Sequence, residues 1–258
     1  MIKQITSKDN LKLKNIRKLI NKKERDYLGK FIIEGENLVD AALENKASVD
    51  YIIIDDKFRN QDIINKIILS GIEIFSVKND LFKSISNTCN GSGIIGVADK
   101  CFQKCDLNFR SGILIFDRLQ DPGNVGTIIR TALASGISSI LAIKGTVDIF
   151  SPKVLRATAG AIFKMPIIYF DEEGDIIDLV KKYNKDLVVT MVNGGTKYYE
   201  ANISRHSAIV LGNEGSGVSN EFIKHASKFV TIPMNHEIES LNVAISAGIL
   251  MYEMIREK

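Results

Sequence analysis

Three short stretches of this chain place glycines, amides, one carboxylate and one arginine at spacings that could do chemistry. The first, "DPGNVGTIIRTALASG" (121–136), sets Asp121, Pro122, Gly123 and Gly126 in a turn, with Asn124 at the start of a helical run and Arg130 inside it. Val125, Ile128, Ile129, Ala132 and Leu133 recur at i, i+3, i+4, i+7 and i+8, so they share one helix face. At about 100° per residue, Arg130 lies roughly 130° from the centre of that face and projects away from it. Asn124 is placed where an amide can cap free N–H groups. Alone, this stretch reads as a capped helix with a surface arginine. The second, "IVLGNEGSGVS" (209–219), runs from an apolar strand into Gly212, Gly215 and Gly217 around Asn213 and Glu214. It has no GK[ST] signature, which disfavours a triphosphate. Glycines here let backbone approach a ligand closely, and the carboxylate suits a neutral or cationic ligand better than a phosphate. In the third, "VTIPMNHEIESLNVAISAGILMYEMIR" (230–256), a strand ends at Pro233 and Ser240 is expected to cap a helix that is apolar nearly all round. Such a helix is buried, against its own core or another subunit. Asn242, in its first turn, needs a hydrogen-bond partner in protein or ligand.

These stretches require strands that stop and helices that start at defined points. Apolar runs without alternation, such as "AIVLG", predict strands buried on both faces in a parallel sheet. Strands are expected at 113–117, 139–144, 166–170, 187–192, 208–212 and 229–232, and helices near 124–135, 152–162, 173–183, 219–226 and 240–256. Ahead of them, "NLKLKNIRKLINKK" has Leu13, Ile16, Leu19 and Ile20 at helical spacing, followed by a β, α, β, α, β order that ends near "SGIIGVAD". Residues 100–111 make the best linker. "GSGIIG" (91–96) matches a dinucleotide fingerprint by letter but lacks a preceding strand and a following amphipathic helix, so it reads as a turn and a close-packed strand.

Composition sets the bounds. The chain has 258 residues, 45% hydrophobic and 25% charged, enough for one or two globular domains. No apolar run would span a bilayer, and the polar N-terminus is no signal peptide, so a cytoplasmic protein is expected. Cys89, Cys101 and Cys105 lack zinc or disulfide spacing and read as incidental reduced thiols, and His206, His225 and His236 form no metal set. Charge is uneven: residues 1–30 carry ten Lys/Arg against three acids, +7 within a chain of net +3. That segment, with Lys12, Arg17 and Lys18, suggests a polyanionic partner, the plainer alternative being a solvated helix face.

Taken in order, the three stretches resemble the three motifs of the SpoU/TrmH family of RNA ribose 2'-O-methyltransferases, in the SPOUT superfamily, over residues 113–256. "KFIIEGENLVDAAL" and "SGIIGVA" are similar to that family's substrate-binding domain, whose fold is like that of small RNA-binding ribosomal proteins. The resemblance implies an α/β protein: an RNA substrate-binding domain at 1–105 and a parallel-sheet SPOUT domain with a trefoil knot at 106–258. It implies S-adenosyl-L-methionine as cofactor, no metal, and a homodimer formed through the knotted domains. Gly212, Asn213, Ile232, Met234, Ser240 and Leu241 would bind the cofactor. Asn124, Arg130, Glu214, Ser240 and Asn242 would serve the reaction, with Arg130 gripping RNA phosphate and Arg156 a further RNA contact. The implied substrate is a structured large-subunit (23S) rRNA, with tRNA second. A non-catalytic paralogue, a base methyltransferase and a nucleotide-dependent oxidoreductase are the rival classes.

Overall fold

Leu13, Ile16 and Leu19 form the buried face of α1 (Leu11–Leu19) in the computed structural model, which describes residues 2–87, 93–100, 109–235 and 237–256. Ile20, expected on the same face, is the C-cap and is 45% exposed. Cys89, Cys101, Cys105, His236, Gly91 and most of the expected linker lie outside the described residues.

The chain divides into two compact units, Met1–Lys104 with Asp148–Lys164, and Cys105–Val147 with Met165–Lys258. In the first, β1 (Lys3–Ile5), α1, α2 (Lys22–Leu28), β2 (Lys30–Glu34), α3 (Glu36–Glu44), β3 (Val49–Asp55), α4 (Gln61–Leu69), β4 (Glu73–Val77), α5 (Asn79–Lys83) and β5 (Ile94–Asp99) follow in order. The sheet order is β1-β4-β3-β5-β2, with β5 antiparallel to both of its neighbours. Leu13, Ile16 and Leu19 pack on Ile53, Phe75 and Val97 to make its core. Gly96 sits inside β5, paired with Ile33 and Ile52, so the described part of "GSGIIG" belongs to a strand. The sequence pattern missed β1, α2 and α5. Each is short, and α2 has five charged residues in seven. Its ends are set by the Asn21 cap and by Gly29 at φ 64°, and its centre by the buried Arg25.

The second unit holds β6 (Ile113–Asp117), α6 (Pro122–Ala134) and β7 (Ser139–Ile143). After α7 (Pro152–Thr158) it continues with β8 (Ile167–Phe170), α8 (Glu173–Lys182), β9 (Asp186–Thr190), β10 (Thr196–Lys197), β11 (Ser207–Gly212), α9 (Asn220–Lys224), β12 (Lys228–Thr231) and α10 (Val243–Ile255). Seven strands pair in the order β10-β12-β9-β11-β6-β7-β8, and every neighbouring pair is parallel. β6 and β7 are buried along their whole length, as their unbroken apolar runs require. Only the two-residue β10 was not expected. Among the described residues no helix is long and apolar enough to cross a membrane.

α7 groups with the first unit. Arg25 donates through Nε and Nη2 to Asp148 at 3.0 and 2.7 Å, and through Nη1 to the carbonyls of Leu19 and Ile20. Phe31 packs against Phe150 and Phe163, with centroids 4.9 and 6.3 Å away. Residues 148–164 are therefore built into the N-terminal unit's core although the C-terminal strands flank them in sequence.

Candidate active site at the carboxyl ends of the parallel strands

Because the strands are parallel, β6, β9, β11 and β12 all end at one edge, where open α/β sheets bind ligands. There the second unit has a cavity of about 600 Å³. Its walls come from Thr190 to Val192 after β9, Leu211 to Gly215 after β11, Ile232 and Met234 after β12, and Glu239 to Val243 before α10. Asn124 of α6 completes it. Among the described residues that line it, none is Lys or Arg.

Glu214 joins these loops. Its Oε2 accepts from the Gln120 amide at 3.1 Å, and its Oε1 from the Asp121 amide and Asn124 Nδ2, each at 3.2 Å. Burial alone would raise the carboxyl's pKa, but these donors outweigh it and hold it below the usual value, so Glu214 is ionised. Asn242 Nδ2 donates to Asn124 Oδ1 at 2.9 Å, and Asn242 Oδ1 accepts from the amides of Ala244 and Ile245. One hydrogen-bonded chain thus runs from the β6–α6 turn through Glu214 and Asn124 to the start of α10.

Two capping expectations are corrected. Asp121 caps α6, its side chain accepting from the Asn124 amide at 2.8 Å, because Pro122 at the first helical position shifts the cap one residue before it. Asn242 caps α10, since the helix starts at Val243; Ser240 lies two residues upstream and is exposed. Asn242 is exposed too, and its partners are Asn124 and the helix amides it caps.

The six residues expected to hold a cofactor, Gly212, Asn213, Ile232, Met234, Ser240 and Leu241, all line the cavity. The Asn213 side chain is committed to its own loop: Nδ2 donates to the Arg118 carbonyl at 2.8 Å, and Oδ1 accepts from the amides of Gly215 and Ser216. A Cβ on Gly212 would lie 2.5 Å from the backbone of Gly217 and Val218, so this glycine is required by chain packing and not by a ligand. Asn124, Glu214, Ser240 and Asn242 come together at the cavity, whereas Arg130 does not line it and is exposed on α6. Arg156 is exposed on α7 in the other unit. Of the N-terminal candidates, Lys12 sits 4.2 Å over the Tyr51 ring and Arg17 donates to the Lys8 carbonyl and Ser84 Oγ, while Lys18 is exposed.

Sequence reasoning missed the backbone donors Gln120 and Asp121, and the wall after β9. Asp117 and Arg118 also escaped it. Buried Asp117 accepts from the Ser219 amide at 2.6 Å and from Arg118, whose φ of 58° is unusual for a side-chain-bearing residue. Arg118 also pairs with Glu173 at 2.5 Å, fixing the turn that presents Gln120 and Asp121. The end of β9 at a carboxyl edge was the one signal available for its wall.

Comparison with known proteins agrees with this architecture. Residues 111–252 match the SpoU rRNA Methylase family, and residues 10–96 match the MRM3-like substrate binding domain. The chain is 34% identical, over 98% of its length and 99% of the relative's, to the Bacillus subtilis (strain 168) protein named 23S rRNA (guanosine(2553)-2'-O)-methyltransferase RlmP. The AdoMet-bound rRNA methyltransferase of Sinorhizobium meliloti superposes with a TM-score of 0.85 at 30% identity, covering 98% of this chain and 97% of that one. AviRb of Streptomyces viridochromogenes, solved with AdoMet, shares the fold at a TM-score of 0.84 and 24% identity, over 95% of this chain and 97% of that one. With both matches in order along the sequence, and the SpoU match over 111–252 containing the cavity and its hydrogen-bonded chain, the protein belongs to the SpoU rRNA methylase family.

Proposed function

We propose that this RNA methyltransferase transfers the methyl group of S-adenosyl-L-methionine to a ribose 2'-hydroxyl in structured large-subunit (23S) rRNA, acting in the cytoplasm as a homodimer. The observation that carries the reading is the cavity, with its mouth tied together by Glu214, Asn124 and Asn242. Its volume of about 600 Å³ suits a nucleoside-sized ligand. Leu211, Ile232, Met234, Leu241 and Leu250 offer apolar surface, and Glu214 and Glu239 are the charged groups among the described lining residues. That donor set suits a cation with an apolar body and opposes a polyphosphate.

When bound, S-adenosyl-L-methionine supplies an electrophilic methyl group on a sulfonium. The chain's own groups do the rest. Backbone at Gly212, Ile232 and Leu241 holds the cofactor, with Asn213 shaping the loop and Met234 and Ser240 closing the wall. Glu214 is a positioning residue, since its lowered pKa and three donors leave it unsuited to take up a proton. Asn124 and Asn242 orient the ribose through their shared hydrogen bond. Arg130, exposed and without an ion-pair partner among the described residues, is free to grip an RNA phosphate and polarise the 2'-hydroxyl. A guanidinium stays protonated, so the hydroxyl proton passes to phosphate or water.

Ile245 and Tyr252, 58% and 54% exposed, fall with half-buried Ile249 on one stripe of α10, and this stripe supports pairing with a second copy. The reading also includes a trefoil knot. Close backbone passage at Gly212, and at Gly195, where a Cβ would lie 2.8 Å from Val230, supports a tight crossing of segments. The test is transfer of labelled methyl from the cofactor to purified 23S rRNA, 16S rRNA and tRNA. Labelling of 23S rRNA alone is expected. Labelling of tRNA alone would replace the substrate, and none in any RNA would overturn the reading.

A further inference from the structure

The helices α2 and α7 of the first unit present cations without ion-pair partners among the described residues; Glu24, half-buried in the first turn of α2, pairs with none of them. Asp26, the exposed acid of α2, is taken by Lys100 at 2.6 Å and Lys22 at 2.8 Å, and these hydrogen bonds hold its carboxyl below the usual range. Asp148, just before α7, is consumed by buried Arg25. Lys23 on α2, and Lys153 and Arg156 on α7, are exposed with no ion-pair partner among the described residues. Residues 149–170 contain three cations and no acid. The two helices are tied at neighbouring points: Arg25 to Asp148, and Asp26 through Lys100 to Phe150, over whose ring the Lys100 ammonium sits at 4.9 Å.

On this basic surface Tyr27 is 85% exposed, one helical turn from Lys23. An aromatic face that the fold leaves bare, set among unpaired cations, matches how proteins hold single-stranded nucleic acid: bases stack on rings while cations follow the backbone.

We propose that α2 and α7 form a docking surface for an unpaired stretch of RNA, in which Tyr27 stacks a base and Lys23, Lys153 and Arg156 take flanking phosphates. This rests on the RNA methyltransferase reading and extends it by naming the RNA feature that the N-terminal unit grips. Charge complementarity favours RNA over an apolar protein partner, and the bare ring favours unpaired nucleotides over a duplex, whose bases are already stacked.

The test is fluorescence anisotropy of the full chain with a labelled single-stranded oligoribonucleotide lacking self-pairing, and with an RNA duplex of equal length. Tyr27→Ala and Tyr27→Leu should weaken single-strand binding by about 5- to 150-fold, and Tyr27→Phe by less than about two-fold. The exposed position should leave thermal stability unchanged in all three. Lys23→Gln and Lys153→Gln should each lower the slope of log affinity against log salt by about 0.7, and Tyr27→Ala should leave it alone. The duplex should bind more weakly and respond little to Tyr27. Single-strand binding that tolerates Tyr27→Ala, or duplex binding as tight as single-strand binding, would overturn this proposal. Methyl transfer to rRNA by the wild-type chain, measured alongside, separates that failure from failure of the functional reading.

Discussion

Asn124→Asp replaces the amide that donates to Glu214 with a second carboxylate. The native contact is Asn124 Nδ2 to Glu214 Oε1 at 3.2 Å. At that distance two unit charges repel by about 1 kcal/mol with water-like screening and about 5 kcal/mol at an effective dielectric of about 20. Glu214 is exposed and Asn124 half-buried, so the lower part of that range applies, about 1–2 kcal/mol. For a chain of this size the loss lowers the melting temperature by about 2–8 °C at neutral pH. The sign of the pH dependence is specific. Two facing carboxylates raise the folded-state pKa of the pair above its unfolded value, so the penalty is complete above the raised value and disappears as the pair takes up a proton. The wild-type group behaves oppositely: with a depressed folded pKa, it contributes stability that is lost only as acid reaches it. Calorimetric melting of both proteins at pH 7 and pH 4.5 should therefore show a deficit that shrinks in acid. A deficit of equal size at both pH values, or none at pH 7, would show that Asn124 does not donate to Glu214 and would remove the link between the β6–α6 turn and the loop after β11.

Gly212→Ala should abolish folding of the second unit, because its Cβ would meet backbone at 2.5 Å; a native circular dichroism melt with intact cofactor binding would refute this. Arg25→Leu should cost about 3–5 kcal/mol in denaturant unfolding by stranding Asp148, whose side chain is only 10% exposed, and adding Asp148→Leu should restore part of that; equal loss in both variants would refute the ion-pair account. Tyr51 is held protonated, mainly by burial and then by Asp50, so one of the seven tyrosines should resist titration at pH 11 in ultraviolet absorbance. Its folded pKa lies above the unfolded value of about 10, so its contribution to stability is complete below that value and lost as pH rises through the folded pKa. Uniform titration of all seven tyrosines would count against it.

Much of the second unit was legible because its central strands β6, β7, β9 and β11 are largely buried and leave unbroken apolar runs between glycine and proline breaks. The cavity lining was legible through the three motifs, since they sit where strands end at the carboxyl edge of the parallel sheet. What the sequence could not supply is long-range. Asp121 and Asn242 are caps only because of where Pro122 and Val243 begin their helices. The role of Glu214 depends on amides 93 and 94 residues away. Arg25 reads as one more cation in a basic segment, and only its pairing with Asp148 reveals it as a buried anchor. Lys12 and Arg17, taken from charge alone as RNA contacts, are engaged by an aromatic ring and by local acceptors. A charge count cannot separate such cations from free ones.

The position of the new methyl group is the decisive measurement. Wild-type protein, labelled cofactor and 23S rRNA would be incubated, and the product hydrolysed in alkali, which cleaves beside a free 2'-hydroxyl and spares a methylated one. The label should appear in an alkali-resistant dinucleotide, and Arg130→Ala should abolish it while leaving cofactor affinity within about two-fold, because Arg130 lies outside the cavity. Label released as a mononucleotide methylated on its base would contradict ribose transfer and the roles given to Asn124, Arg130 and Asn242.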